Sequence, residues 1–570
     1  MRSPSLTCCL AAAVLFGTMA TSAIPAQAQQ VTVQSGMGSA RGIVSRPLST
    51  LPQLPSTGAV QTRTVPLGTG ADPLTYAARK SDAASKRFAL PKNPSISGPP
   101  AAPGSLAPTQ TPTLTPGTSL TATSVKQADC GGWDPADQAL AVGDTPVGVV
   151  QVVNECVVVL DKNGVIQAGY PKSLNGFFGQ NGCGIGIFDP RAIYDWINHR
   201  YIILGVDKCS AALPTSGSYW LAVSTGDNPV GTYCIYQLGV QSDAVSDRPF
   251  PDFPRLGQDR QGIYLASNIF SQVTNSYKFE EILALPKANL YACQNIGFQF
   301  FFQLNVGGVF TDTTQPADTY NPGDDPREMY FVTSKNIRFG GGQCSSPCNG
   351  LVVWGLYGVI GSQTLTGVVV GTANNYLLPP NASQPGSANS IDTGDTRLSG
   401  SAAYSSGSIY ASLNSNNGAG GAVCILYEIK PFVNTNGTMA SATILNELVL
   451  NYGGTSSAWF CTQQPDPEGN VTHVFNYSTT GTFASLVYGS RRSAQPRGTF
   501  PDSGVFLVVG QGLNTGGRWG DYTATAAAGL VSGGGTGGFP TFWFSGMFAR
   551  SDNSWQTAIG RNGYNAVTQP

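Results

Sequence analysis

Apolar residues fall along this chain in short runs rather than at helical spacing. GVVQVVNECVVVLDKNG, SYWLAVST, QGIYLASNIF, GLVVWGLYGVI, SIYASLNS and AVCILYEI each set Val, Ile, Tyr or Phe between clusters of Gly, Asn, Ser and Thr. Runs rich in β-branched and aromatic residues and closed by turn residues predict strands. Helical signals are scarce. The best, FEEILALPKANLYA, is interrupted by Pro286 and predicts one short turn beside a strand. Between Gln29 and about Thr123 the pattern lapses into Pro, Ser, Thr, Ala and Gly, as in GPPAAPGSLAPTQTPTLTPG. Such a composition buries too little apolar surface to offset its ordering entropy, which predicts a disordered leader over residues 29–123. Its last part, LTPGTSLTATSV, is strand-like enough to pair with the folded body.

From about Lys126 onward one unit recurs. FDPRAIYDWINHRYIILGVD, Phe188 to Asp207, has an Asp-Pro-Arg opening, an apolar strand, a polar turn and a second strand. Related openings are WDPADQALAVG, PFPDFPRLGQD, GDDPREMYFVTS, TGDTRLSGSAAYS, QQPDPEGNVTHVFN and RWGDYTATAAA. Their aligned acids are Asp134, Asp189, Asp252, Asp325, Asp395, Asp466 and Asp521, separated by roughly 55 to 73 residues on subtracting positions. That period suits one four-stranded blade with generous loops. The expectation is an all-β fold: a single β-propeller over residues 124–570, with seven blades preferred and six or eight as alternatives. A pair of β-sandwiches would break the composition inside the body, and no break occurs. After Asp521 only DYTATAAAGL, TFWFSGMFA and SWQTAIG read as strands. The segment Thr118 to Val125 is therefore expected to complete the last blade as a clasp, removing exposed sheet edges.

The chain start changes the picture. Arg2, an apolar run from about Cys9 to Met19, and Ala-Gln-Ala before Gln29 read as a secretory signal peptide over residues 1–28. No later apolar run is long enough to span a bilayer. The expected product is a soluble, monomeric protein secreted to the extracellular or periplasmic space. Twelve cysteines less the two in the signal leave an even number, read as disulfides. Cys344 and Cys348, in CSSPC, are a close pair able to close a small loop. The other pairings stay open. A zinc site would need a second such pair, and no metal or cofactor is expected.

Charge and histidine content exclude several chemistries. Lys+Arg at 31 against Asp+Glu at 32 gives a net charge of -1, with no general attraction for nucleic acid. Only His199 and His473 occur, both in strand-like contexts, so a three-His metal site is impossible. Any catalysis would rest on carboxylates, Tyr and Arg.

Taken together, WDPADQALAVGDTPVGVVQVVNECVVVLDKNG, FDPRAIYDWINHRYIILGV, YWLAVSTGDNPVGTYCIYQL, PDFPRLGQDRQGIYLASNIF, DTRLSGSAAYSSGSIYAS and RWGDYTATAAA before TFWFSGMFA resemble a group of secreted bacterial β-propeller proteins, some carrying adhesion or sorting modules. The resemblance covers nearly all of the chain after about residue 128. It implies the propeller fold and export, and it carries no catalytic assignment. After Tyr522 this chain reads TATAAAGLVSGGGTGG where that group tends to have a Pro-Ser-Asp turn, so no calcium or turn function is placed there.

In a propeller the first strand of each blade lines the channel, so acids at its start would ring one mouth. The ligand-binding candidates are Asp189, Arg191, Asp252, Arg255, Asp325, Arg327, Asp395, Arg397, Arg518 and Asp521. Arg supplies forked donors to a carboxylate while Asp accepts from hydroxyls, which suits a glycan. The structural alternative has each Asp bonding turn amides and each Arg tying blades together. Repetition favours the structural version. Glycoside hydrolysis needs two carboxylates about 5 to 9 Å apart; Asp189 with Asp195, or Asp252 with Asp259, are the pairs on offer. A sialidase-like site would draw on Tyr522, Tyr194 and Glu328. DKNG (Asp161 to Gly164) and NPGDD (Asn321 to Asp325) lack regular calcium-ligand spacing and read as turns. The functional expectation is binding of an extracellular glycan at the channel mouth. The alternatives are a glycoside hydrolase or polysaccharide lyase, and a protein-interaction or adhesion scaffold.

Overall fold

The protein is described from a computed structural model that covers residues 31–56, 63–64, 73–92, 120–179, 186–209, 216–241, 247–335, 344, 347–499, 504–528 and 541–563. The expected signal peptide, residues 1–28, lies outside the described residues, as does the leader between residues 93 and 119.

The fold is an all-β propeller. Among the described residues the body strands form seven antiparallel groups of four, the fourth and fifth joined into one sheet by a parallel pairing of their innermost strands. Each group opens on an innermost strand: Ala139–Val142, Ile187–Asp195, Pro249–Gln258, Gln315–Asp318, Ala402–Ser405, Ser457–Pro465 and Ala524–Ala528, which begin sheets one to seven. Each innermost strand packs against the next, and the seventh returns to the first. Gln138, Arg191, Leu256, Asp318, Ala402, Gln464 and Thr523, one position or more from every sheet, line a central cavity of about 30 Å³. That is room for about two waters.

Apolar side chains fill the spaces between consecutive sheets. Leu204 and Leu221 of sheet two meet Leu265 and Leu283 of sheet three. Ile282 and Phe301 of sheet three meet Val352 and Trp354 of sheet four. Leu426 and Leu450 of sheet five face Phe475 and Val487 of sheet six, and Val474 and Leu486 of sheet six face Phe544 and Ala558 of sheet seven. Burial on both faces explains why these strands read as near-continuous apolar runs.

The expected clasp is present. Leu120–Lys126 pairs antiparallel with Trp555–Gly563 and supplies the fourth strand of sheet seven. Among the described residues three disulfides join neighbouring sheets. Cys130, just after the clasp, bonds Cys156 of sheet one; Cys234 of sheet two bonds Cys293, beside sheet three; and Cys424 of sheet five bonds Cys461 of sheet six. Cys344–Cys348 closes the local loop anticipated from CSSPC. The stretch FEEILALPKANLYA divides into the strand Tyr277–Pro286 and a short helix, Lys287–Tyr291.

The leader departs from the expectation of disorder. Val31–Ser39 pairs with Gly297–Val306 as a further strand of sheet three, and Gly42–Pro47 pairs with Thr232–Gly239 as the fifth strand of sheet two. Pro73–Ser85 is a helix. The physical reason is that an edge strand needs only the unpaired N–H and C=O groups of an existing sheet rather than two apolar faces of its own. Small residues also fit here: a Cβ on Gly36 would stand 2.6 Å from the Phe300 ring.

Candidate functional site at the channel mouth

Eight of the ten candidate residues converge at the starts of the innermost strands; Asp325 and Arg327 do not. A local backbone device sets the geometry. Asp137, Asp189, Phe253, Thr313 and Phe460 all have positive φ, between 45° and 54°, immediately before their strands settle into regular pairing. Such conformations are costly for non-glycine residues and persist where surrounding bonds over-determine them. Here an asparagine from the preceding sheet accepts the buried N–H: Asn154 from Asp189 at 2.8 Å, Asn268 from Thr313 at 3.0 Å, and Asn414 from Phe460 at 2.8 Å. The kinked strand starts turn their side chains inward.

At the centre lie two rings, Phe253 and Tyr522, with centroids 4.9 Å apart. Three guanidiniums surround them. Arg191 stacks 3.2 Å from the Tyr522 ring, Arg255 lies 3.9 Å from Phe253 and 4.5 Å from Tyr522, and Arg397 lies 4.4 Å from Phe253. Such contacts are strongest when desolvated, and all five side chains are buried.

Polar bonds then cross from sheet to sheet. Arg191 Nε donates to the Pro254 carbonyl at 2.8 Å. Arg255 donates to the Ser399 and Leu398 carbonyls, each at 3.0 Å, spanning from sheet three to the loop before sheet five. Arg397 Nε lies 3.0 and 2.9 Å from the two Asp395 oxygens. The Tyr522 hydroxyl donates to Asp189 Oδ2 at 3.0 Å, the Asp521 N–H donates to Asp137 Oδ1 at 2.7 Å, and Arg518 lies 3.4 Å from Asp521. Two buried nitrogens, Arg191 Nη2 and Arg255 Nε, have no hydrogen-bond partner among the described residues.

Burial dominates the electrostatics. It pushes Asp252 up to about 7, with the Asp189 charge adding and Arg397 opposing. It pushes Asp521 up to about 6 against the pull of Arg518, and Asp134 up to about 6. Asp189 is raised by burial and restrained by Arg191, while Asp137 is raised by burial and by the charges of Asp189 and Asp521. These mutual effects mark the groups as one electrostatic cluster. At neutral pH it holds carboxyls near their midpoints beside fixed guanidiniums.

Asp325 and Arg327 require correction. They lie between Gln315–Asp318 and Glu328–Ser334, at the far end of the inner strand; Asp325 pairs with Arg260 at 3.1 Å, and Arg327 donates to the Thr435 carbonyl at 3.1 Å. Both side chains are largely exposed. Asp466, one of the seven aligned acids, is likewise a turn residue after its inner strand, accepting from the Asn470 N–H at 2.8 Å. An Asp beside Pro marks any tight turn leading into a strand, so the motif does not distinguish the two ends. The residue at the mouth in sheet four is Asp312, buried beside the positive-φ Thr313. Its Asp-Thr-Thr-Gln repeats the spacing of Asp252-Phe-Pro-Arg255, which is the signal that finds it. Asp137 and Phe253 were also missed; both share the positive φ at the strand start that marks Asp189.

The carboxylate pairs taken along one strand separate. Asp195 accepts from the Ile197 and Asn198 N–H groups, and Asp259 from those of Gln261 and Gly262, each capping the hairpin at the strand's far end. Six or seven extended residues put these about 20 Å from Asp189 and Asp252, beyond the 5 to 9 Å of a glycosidase pair. Tyr194 sits with His199 and Asp144 in that far region, and Glu328 bonds Tyr330, so of the three sialidase-type candidates only Tyr522 is at the mouth. His199 Nδ1 lies 2.6 Å from Asp144, while burial lowers His473 to about 3. Asp161 and Asn321 cap their own turns, as the DKNG and NPGDD patterns predict.

No family model and no curated protein matches the chain. Solved structures that the chain matches include the parainfluenza virus 5 hemagglutinin-neuraminidase ectodomain, at 10% identity and TM-score 0.34, over 64% of this chain and 78% of that one. They also include an exo-β-1,3-galactanase from Phanerochaete chrysosporium with galactose, at 10% identity and TM-score 0.26, over 76% of this chain and 93% of that one. A β-1,3-galactosidase with galactodeoxynojirimycin aligns at 10% identity and TM-score 0.24, over 53% of this chain and 92% of that one. At such identities and TM-scores the likeness assigns no residue and no activity.

Proposed function

We propose that this is an exported β-propeller of seven blades that binds an extracellular glycan at the channel mouth. The carrying observation is the convergence there of unlike groups: the buried guanidiniums of Arg191 and Arg255 with a spare nitrogen each, the carboxyls of Asp189 and Asp252, and the Tyr522 hydroxyl and ring. Sugars are met by this combination, with guanidinium and carboxyl groups for hydroxyls and ring faces for C–H surfaces. The disulfides between sheets support export.

A hydrolase or lyase reading is the second choice. It is favoured by Asp252 at about 7 and Asp521 at about 6, both suited to giving or taking a proton near neutrality. A polysaccharide array with product analysis separates the readings. Binding without new reducing or unsaturated ends supports the lectin-like role, and new ends support catalysis. Absence of binding overturns both and favours a scaffold for protein partners.

A further inference from the structure

The chain's own leader docks at the edge of the mouth. Helix Pro73–Ser85 buries Tyr76, Lys80 and Ala83, which share one face. The Lys80 ammonium lies 3.2 Å from Asp392 Oδ1 and donates to Thr393 Oγ1 at 3.0 Å and to the Gly394 carbonyl at 2.6 Å. The Tyr76 hydroxyl donates to Asp392 Oδ1 at 3.1 Å, and Asn416 Nδ2 donates to the Ala83 carbonyl at 2.6 Å. Asp392 belongs electrostatically to the mouth, since its charge acts on Arg518 and Asp521, while Tyr76 feels Asp395, Arg397 and Asp521 as well.

The helix thus brings an ammonium and a phenol to the edge of the cluster. Segments docked outside the sheets are drawn from the low-stability end of a structure, and release of this one would expose the shelf beneath Lys80. Its departure strips Asp392 of its cation in a region already rich in carboxyls. Arg518, the remaining cation on which Asp392 acts, is shared with Asp521, Asp137 and Asp189, so the site favours a replacement ligand that brings positive charge.

Resting on the glycan-binding reading above, we propose that Pro73–Ser85 is a built-in occupant of the mouth. The shelf of Asp392 Oδ1, Thr393 Oγ1 and the Gly394 carbonyl, held by Lys80 in cis, receives the ammonium of an amino sugar once the helix has left. The phenol of Tyr76 holds the place of a sugar hydroxyl on the same carboxylate.

The experiment compares the full chain with its Tyr76→Ala/Lys80→Ala variant. Amide hydrogen exchange checks that residues 73–85 lose protection while the sheets keep theirs. Calorimetry then uses three probes: a fully deacetylated glucosamine tetrasaccharide, its N-acetylated counterpart, and N-acetyl-lysine methylamide. The expected result is binding of the amine tetrasaccharide at least tenfold tighter to the variant than to the parent chain. It should also bind at least tenfold tighter than the acetylated sugar, a preference removed by adding Asp392→Asn. Equal binding to parent and variant overturns the occupant role. Equal binding of the two sugars overturns the ammonium shelf and leaves glycan binding standing. Binding of the lysine derivative with neither sugar supports the shelf and sinks the glycan reading. No binding by any probe, with the helix shown to be released, overturns the proposal.

Discussion

Arg255→Met tests whether the buried Asp/Arg cluster holds the ring together. The guanidinium reaches from sheet three past sheet four to the Ser399 and Leu398 carbonyls before sheet five. Methionine restores much of its volume, so a cavity contributes little. The Leu398 carbonyl keeps a second donor, Gln315 Nε2 at 2.7 Å, whereas the Ser399 carbonyl loses the Arg255 bond. An orphaned buried acceptor costs about 1–3 kcal/mol. Asp189, whose charge acts on Arg255, also loses one of its neighbouring cations, and removing one member of a buried ionic set costs about 3–5 kcal/mol. The two penalties overlap, giving an expected loss of about 3–5 kcal/mol. Arg255→Lys, which keeps the charge but loses the fork, should cost about half of that. Urea unfolding followed by tryptophan fluorescence reads this as a lower midpoint at unchanged slope. A Met variant within about 1 kcal/mol of the parent, or more stable than it, would refute the reasoning, because a guanidinium serving only a ligand is dispensable for folding.

Other outcomes follow from the same geometry. Asp252, Asp318 and Asp466 at about 7, and Glu280 at about 8, are raised by burial. The folded state therefore holds protons that the unfolded chain releases near pH 4, and this stabilisation is lost as pH rises through 6 to 8; melting at pH 5 should exceed melting at pH 8, and a flat or opposite profile contradicts the assignment. Asn414→Ala strands the buried Phe460 N–H and should cost about 1–3 kcal/mol in the same urea assay, against no change if the bond is incidental. Cys424→Ser/Cys461→Ser removes a tie between sheets five and six across 37 residues and should cost about 2–4 kcal/mol without changing the far-ultraviolet dichroism. A chain truncated to begin after Lys126 leaves Trp555–Gly563 as an open edge and should self-associate in size-exclusion chromatography, where a monodisperse monomer would argue against the clasp.

Much of the architecture is legible along the chain because strands and hairpin turns are local. The apolar runs became strands, CSSPC closed on itself, and the shortfall of strands after Asp521 located the clasp. The leader was misread because composition reports what a segment can bury alone, whereas Val31–Ser39 and Gly42–Pro47 borrow their partners from finished sheets. Of the ten Asp and Arg candidates, eight lie together at the starts of the inner strands. Asp325 and Arg327 failed because turn chemistry is the same at both ends of an inner strand.

By itself the sequence determined strand identity and the need for a closing strand, both consequences of side-chain periodicity and turn residues acting over a few positions. Only the tertiary structure decided that Asp312 rather than Asp325 faces the mouth, that Arg255 reaches sheet five, and that a leader helix sets Lys80 on Asp392. Each of these joins residues far apart in the chain. Their meeting depends on how the sheets turn about a common axis, and no local pattern carries that information.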